Sequence, residues 1–77
     1  MDFIELIDKL LFLKSNLRSG CDLEIEISHA IIVRLVIGDK TRVIESTKLN
    51  AISCECTEIH NRVKSRLKPY LDNVLPL

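Results

Sequence analysis

With 77 residues the chain makes one domain, residues 1–77, of a size that buries only about 60% of its unfolded surface and gains from a disulfide, a metal or a second subunit. Its 11 Lys and Arg balance 11 Asp and Glu, its only aromatics are Phe3, Phe12 and Tyr70, and its only glycines are Gly20 and Gly38. A strongly basic nucleic-acid binder, a base-stacking platform and a Gly-rich phosphate loop are thereby excluded.

The first element in the chain reads as an amphipathic helix over Asp2 to Leu17. Asp2 is a good N-cap with Glu5 three residues later, and Met1 and Leu6 hold the positions of a hydrophobic staple. Phe3, Leu6, Leu10, Leu13 and Leu17 repeat at 3 and 4 residues, and Ile4, Ile7 and Leu11 form a second stripe beside them. That apolar surface is wider than one packing seam requires. Gly20 suits the helix stop, where a left-handed residue is often needed.

Asp22 to Ser28 alternates apolar and polar residues, which predicts a half-buried strand. Ile31 to Ile37 is a near-continuous β-branched run and predicts a more buried one. Gly38-Asp39 or Asp39-Lys40 supplies a tight turn into a third strand over Arg42 to Ser46. Connections this short join antiparallel neighbours, so the middle of the chain is a three-stranded meander. A second helix follows from about Thr47 to Lys68, with Leu49, Ile52, Cys56, Ile59, Val63 and Leu67 on one face. Ser46, Thr47, Asn50 and Ser53 are all candidate caps, and Pro69 marks a stop or kink. The tail "YLDNVLPL" is apolar enough to dock or to meet a partner. The predicted fold is α+β in two layers, the antiparallel meander packed against an N-terminal and a C-terminal helix.

Alternation along the strands assigns their faces. A first turn at Ser28-His29-Ala30 pairs Glu24 with Arg34 and puts Leu23, Ile25, Ile27, Ile31, Val33, Leu35, Ile37 and Ile44 toward the helices. Ile32, Arg34, Val36, Val43 and Glu45 fall on the other face with Glu24 and Glu26. A second turn at Asp39-Lys40 places Arg34 opposite Glu45 as well, so that a cation sits on the central strand between two carboxylates. Such pairs contribute roughly 0.2–1 kcal/mol each and pin the register. The same arrangement, an apolar patch with a charged centre, is also what a partner-binding surface looks like, and Ile32, Arg34, Val36, Val43 and Glu45 are the candidate partner-binding residues.

Other constellations carry less. Cys54, Cys56 and His60 in "CECTEIH" could supply three metal ligands, with Cys21 or His29 as a fourth. Their spacing matches no common zinc pattern, and Cys56 reads equally as a small core residue, so no metal and no cofactor is expected. Nucleophilic or paired-acid catalysis needs an enclosed site that two short layers do not offer, and no enzyme is expected. Arg62, Lys64, Arg66 and Lys68 complement the dipole at the end of the second helix, with Arg62 and Arg66 as candidate phosphate contacts. Three cysteines make no disulfide framework. Glu5, Asp8 and Lys9 interrupt the first helix, so it does not read as a signal segment, and no run approaches the ~20 apolar residues of a membrane span. A cytoplasmic location with reduced thiols is expected.

The order of elements from Asp2 to Lys68, with "IIVRLVIGDKTRVIES" as a short central hairpin after an N-terminal helix, resembles small phage-encoded inhibitors of bacterial defence, notably the compact α-β-β-β-α anti-CRISPR proteins that bind Cas9. The resemblance is one of layout and carries no functional residue across. This neutral chain also departs from the strongly acidic, DNA-like members of that group. What the resemblance implies is a class, a small non-enzymatic protein acting by occupying a partner or sequestering a ligand, in the host cytoplasm if phage-encoded. The sequence reading is therefore an inhibitor or adaptor directed at a host defence or regulatory protein, itself expected to be a homo-oligomer, with a dimer favoured. The alternative is a nucleic-acid-associated regulatory module using the basic end of the second helix.

Overall fold

The computed structural model describes residues 1–72, without the side chains of residues 52 and 53. Helix α1 (Phe3–Ser15) is followed by strands β1 (Cys21–Ile27), β2 (Ala30–Ile37) and β3 (Lys40–Lys48), then by helix α2 (Leu49–Leu67) and a 3-10 turn over Lys68–Tyr70. The strands form one antiparallel sheet in the order β1-β2-β3. The predicted α+β layout is the observed one.

Helix α1 starts where the sequence places it. Asp2 has extended backbone, and its Oδ1 accepts the Glu5 amide at 2.8 Å. This satisfies one of the donors a helix start leaves over. Leu6, Leu10 and Leu13 are fully buried, with Phe3, Ile7 and Leu17 partly so. The helix stops earlier than its periodicity suggests. Asn16 is the C-cap, its amide reaching the Leu13 and Lys14 carbonyls. Gly20, with φ +88°, serves the turn into β1 and not the helix end. Leu17 instead pairs with Leu71, the Arg18 amide donates to the Tyr70 carbonyl at 2.9 Å, and the Asp72 amide donates to the Asn16 carbonyl at 2.8 Å. The start of the apolar tail thus docks on the end of α1, with Leu71 buried. The rest of that tail, residues 73–77, lies outside the described residues.

The β1–β2 hairpin has the predicted register, Glu24 opposite Arg34 and Ile27 opposite Ile31. The β2–β3 hairpin does not have the register of a turn at Asp39-Lys40, because it uses the other turn that the sequence allows. Its turn is Gly38-Asp39, with Ile37 opposite Lys40 and Gly38 at φ +61°, a position only glycine takes without strain. Arg34 therefore faces Val43. One residue further on the register shifts, so that Val33 faces Glu45 and Ile44 is the extra residue of a β-bulge. Alternation is reset at that point. Val43 stays on the outer face, whereas Ile44, Glu45 and Thr47 are all buried. The expected place of Glu45 on the outer face, beside Arg34, is corrected by this bulge.

Helix α2 follows β3 with no loop. None of the candidate caps is used: Ser46 and Thr47 belong to β3, Asn50 and Ser53 lie within the helix, and the N-cap is Lys48, whose side chain makes no capping bond. The Leu49 amide donates to the His29 carbonyl at 3.1 Å, which ties the helix start to the first hairpin turn. Cys56, Ile59, Val63 and Leu67 are buried, as their spacing predicts, whereas Leu49 is largely exposed. Ile52, the remaining predicted core position, has its side chain outside the description. The helix ends at Leu67, and Pro69 sits in the 3-10 turn that follows.

Both helices lie on one face of the sheet. Leu6, Leu10 and Leu13 of α1, Ile59, Val63 and Leu67 of α2, and Leu23, Ile31, Val33 and Leu35 of β1 and β2 form a single core.

Candidate functional site

Two charged sites flank the sheet, one on each face. On the outer face Ile32, Arg34 and Val36 of β2 are half-buried, and Val43 of β3 is 53% exposed. Arg34 Nη1 lies 2.9 Å from Glu26 Oε1. Glu26 is the diagonal neighbour on β1, not the directly opposed Glu24. The long guanidinium side chain reaches across the pleat, as diagonal pairs in antiparallel strands allow. Four of the five predicted partner-binding residues are thus brought together, and Glu45 is not among them.

Glu45 sits at the other site, on the helix side, with its side chain 4% exposed. Two α2 arginines one turn apart converge on it. Arg62 donates from Nε to Oε1 at 3.0 Å and from Nη2 to Oε2 at 2.8 Å, a bidentate fork. Arg66 donates from Nη1 to Oε1 at 3.0 Å, and the same nitrogen donates to the Ile44 carbonyl at the bulge. Thr47 completes the set, its hydroxyl donating to Oε2 at 2.7 Å. Each carboxylate oxygen therefore accepts two hydrogen bonds. The Arg62 fork is the main reason the Glu45 carboxyl titrates below its ordinary range; burial opposes it, and Thr47 and the charge of Arg66 reinforce it. In return Glu45 holds the Arg62 guanidinium above its usual value.

Arg62 and Arg66 were candidate phosphate contacts on the strength of helix-end charge. The structure gives them a prior partner inside the domain, and Glu55 adds a more distant one 3.9 Å from Arg62. A sequence signal for this existed. Counting 100° per residue, Arg62 and Arg66 flank Ile59 and Val63 on α2, so both leave the helix at the margin of its buried stripe. Guanidinium groups at such a margin call for a carboxylate, and the bulge is what presents one.

Beyond this cluster an open groove of about 880 Å³ runs between β3 and α2, with Arg42 and Lys48 on its strand wall and Arg62 and Arg66 on its helix wall.

The cysteines and histidine do not converge. Cys54 is exposed and Cys56 buried, as expected for residues about 200° apart on one helix. His60 is buried near Cys56, on the flank of α2 opposite the arginines. Burial, then the charges of Lys64 and Lys9, lowers its pKa below the ordinary value. Among the described residues no three His, Cys, Asp or Glu side chains are grouped as a metal site. A further apolar surface lies on α1, where Ile4 is 72%, Leu11 48% and Phe12 50% exposed. This is the excess width that the sequence of the first helix shows.

Among the described residues no helix is long and apolar enough to cross a membrane. The fold defines a two-layer α+β domain with one covered and one open sheet face. Comparison with family models, with curated proteins and with solved structures finds no significant match to this chain.

Proposed function

We propose that this chain is a small non-enzymatic binding protein, an inhibitor or adaptor that acts by docking on a protein partner through the open face of its sheet. The observation that supports this most is the uncovered outer face itself, where Ile32, Val36 and the exposed Val43 surround the Arg34–Glu26 ion pair. Apolar surface with an arginine at its centre and carboxylates at its rim has the composition of an interface core and rim. The likeness in layout to phage-encoded inhibitors of bacterial defence supports the same class, and such an inhibitor acts in the host cytoplasm.

A pull-down from cells expressing the tagged chain, with the mass of the isolated protein measured by light scattering, tests this. Val43→Glu and Val36→Glu place a charge on the outer face without touching the core. Each is expected to abolish partner capture or self-association while circular dichroism stays unchanged. Leu11→Glu, on the exposed stripe of α1, serves as the control. If the α1 variant abolishes capture and the sheet variants do not, the docking surface is α1 and the outer-face reading fails.

A further inference from the structure

The groove between β3 and α2 offers a second chemistry, running along the edge strand of the sheet and meeting the proposed docking face at Val43. Its charged lining consists of Arg42, Lys48, Arg62 and Arg66 against Glu45 and Glu55, four cations and two carboxylates, a net charge of +2. Glu45 is fully occupied by the donors described above, so its lone pairs are turned inward. The arginines are not. A guanidinium carries five N–H donors. Arg62 spends Nε and Nη2 on Glu45, and Arg66 spends Nη1. Nη1 of Arg62, and Nε and Nη2 of Arg66, make no hydrogen bond to another described residue, on side chains 37% and 50% exposed.

We propose that this groove is a binding site for a phosphate-class dianion, received by the outward N–H donors of Arg62 and Arg66 with Arg42 and Lys48 supplying further positive charge. Glu45 acts here as a positioning residue. By fixing two long side chains in the folded protein, it removes much of the rotamer entropy that a ligand would otherwise have to overcome in ordering them. Charge selects the ligand class. A phosphate monoester carries about −1.5 to −2 at pH 7 and three acceptor oxygens, which matches the net charge of the lining; a single carboxylate offers half of that charge. The volume lies within the range of small-molecule sites, roughly 300–1,000 Å³. Because the groove is open, binding is expected to be weak and to diminish with salt.

The test is a ¹H–¹⁵N NMR titration of the whole chain with inorganic phosphate at low ionic strength, repeated with adenosine monophosphate and with acetate. Saturable shifts confined to residues 42–48 and 62–66 are expected with phosphate and not with acetate. A stronger response to adenosine monophosphate than to phosphate identifies an organic phosphate as the ligand; equal responses identify the free anion. Arg42→Ala and Lys48→Ala remove groove charges that make no bond to Glu45, and each is expected to weaken phosphate binding about threefold, the effect of losing one exposed charge. Shifts scattered over Lys9, Lys14 and Lys68, or an affinity unchanged in both variants, would overturn the proposal and show a diffuse surface response to anions. Neither result bears on the outer face, which Val36→Glu tests without altering this groove, because Val36 does not line it.

Discussion

The two ion sites of this domain are built from the same residue types and differ in what surrounds them. Arg34 and Glu26 meet on the open face of the sheet with side chains 28% and 49% exposed. Glu45 meets Arg62 and Arg66 on the helix side with its own side chain 4% exposed. In the first site both charges keep much of their hydration, and separating them returns them to water. In the second the carboxylate is almost wholly withdrawn from water. Position relative to the core, and not the chemistry of the pair, sets the energetic weight of each site.

The sharpest way to break this comparison is to strip Glu45 of its cations. The double variant Arg62→Ala/Arg66→Ala leaves a buried carboxylate with only Thr47 as partner. Losing the partners of a buried charge typically costs about 3–5 kcal/mol, and the partial exposure of both arginines places the expected loss near the lower end. Urea denaturation followed by circular dichroism measures it. A loss below about 1 kcal/mol would mean that water reaches Glu45 and that the two sites are alike after all.

Removing the carboxylate has a smaller expected effect. Glu45→Ala frees two guanidinium groups that can swing into solvent on their long stems, so about 1–3 kcal/mol is expected, less than for the double variant. Equal losses in the two experiments would contradict the claim that the buried partner carries the larger desolvation cost.

Acidification separates the groups without mutation. The folded pKa of His60 lies below its ordinary 6.5, so the unfolded chain takes up that proton more readily and stability declines as pH falls below about 6.5. The folded pKa of Glu45 lies below its ordinary 4.5, so its contribution is complete above that value and is lost as pH falls further, toward the folded pKa. Thermal denaturation across this range is expected to show two stages of loss, and His60→Gln to remove the first while keeping the second.

The smallest effect is expected on the open face. Arg34→Ala should cost no more than about 1 kcal/mol, an amount that shrinks in high salt, because the pair is partly exposed and Glu26 can rehydrate. A larger, salt-independent loss would show that the outer face is covered in solution.

Much of this architecture was legible in the residues. The Asp2 cap, the buried leucines at 6, 10 and 13, and the register of the first hairpin follow from spacings of three, four and two that local geometry imposes. The end of α1 falls before the Leu17 and Gly20 that periodicity suggests, where the Tyr70–Asp72 segment docks, a contact distant in sequence. The start of α2, left open among four caps by the sequence, is set for the same kind of reason. Its first amide is satisfied by the His29 carbonyl on another turn, so no side-chain cap is needed.

Glu45 marks the boundary most clearly. By itself the sequence determined the element order, the helix faces and the outward position of Ile32, Arg34, Val36 and Val43, since each depends on short-range periodicity. Which way Glu45 points was decided only in the tertiary structure. Glycine at position 38 put the turn one residue earlier than an Arg34–Glu45 pairing requires, and a bulge at Ile44 then turned Glu45 inward. Two arginines 17 and 21 residues further along the chain keep it there. A carboxylate is buried only where cations arrive to meet it, and that meeting depends on how α2 packs beneath β3, which no local pattern encodes.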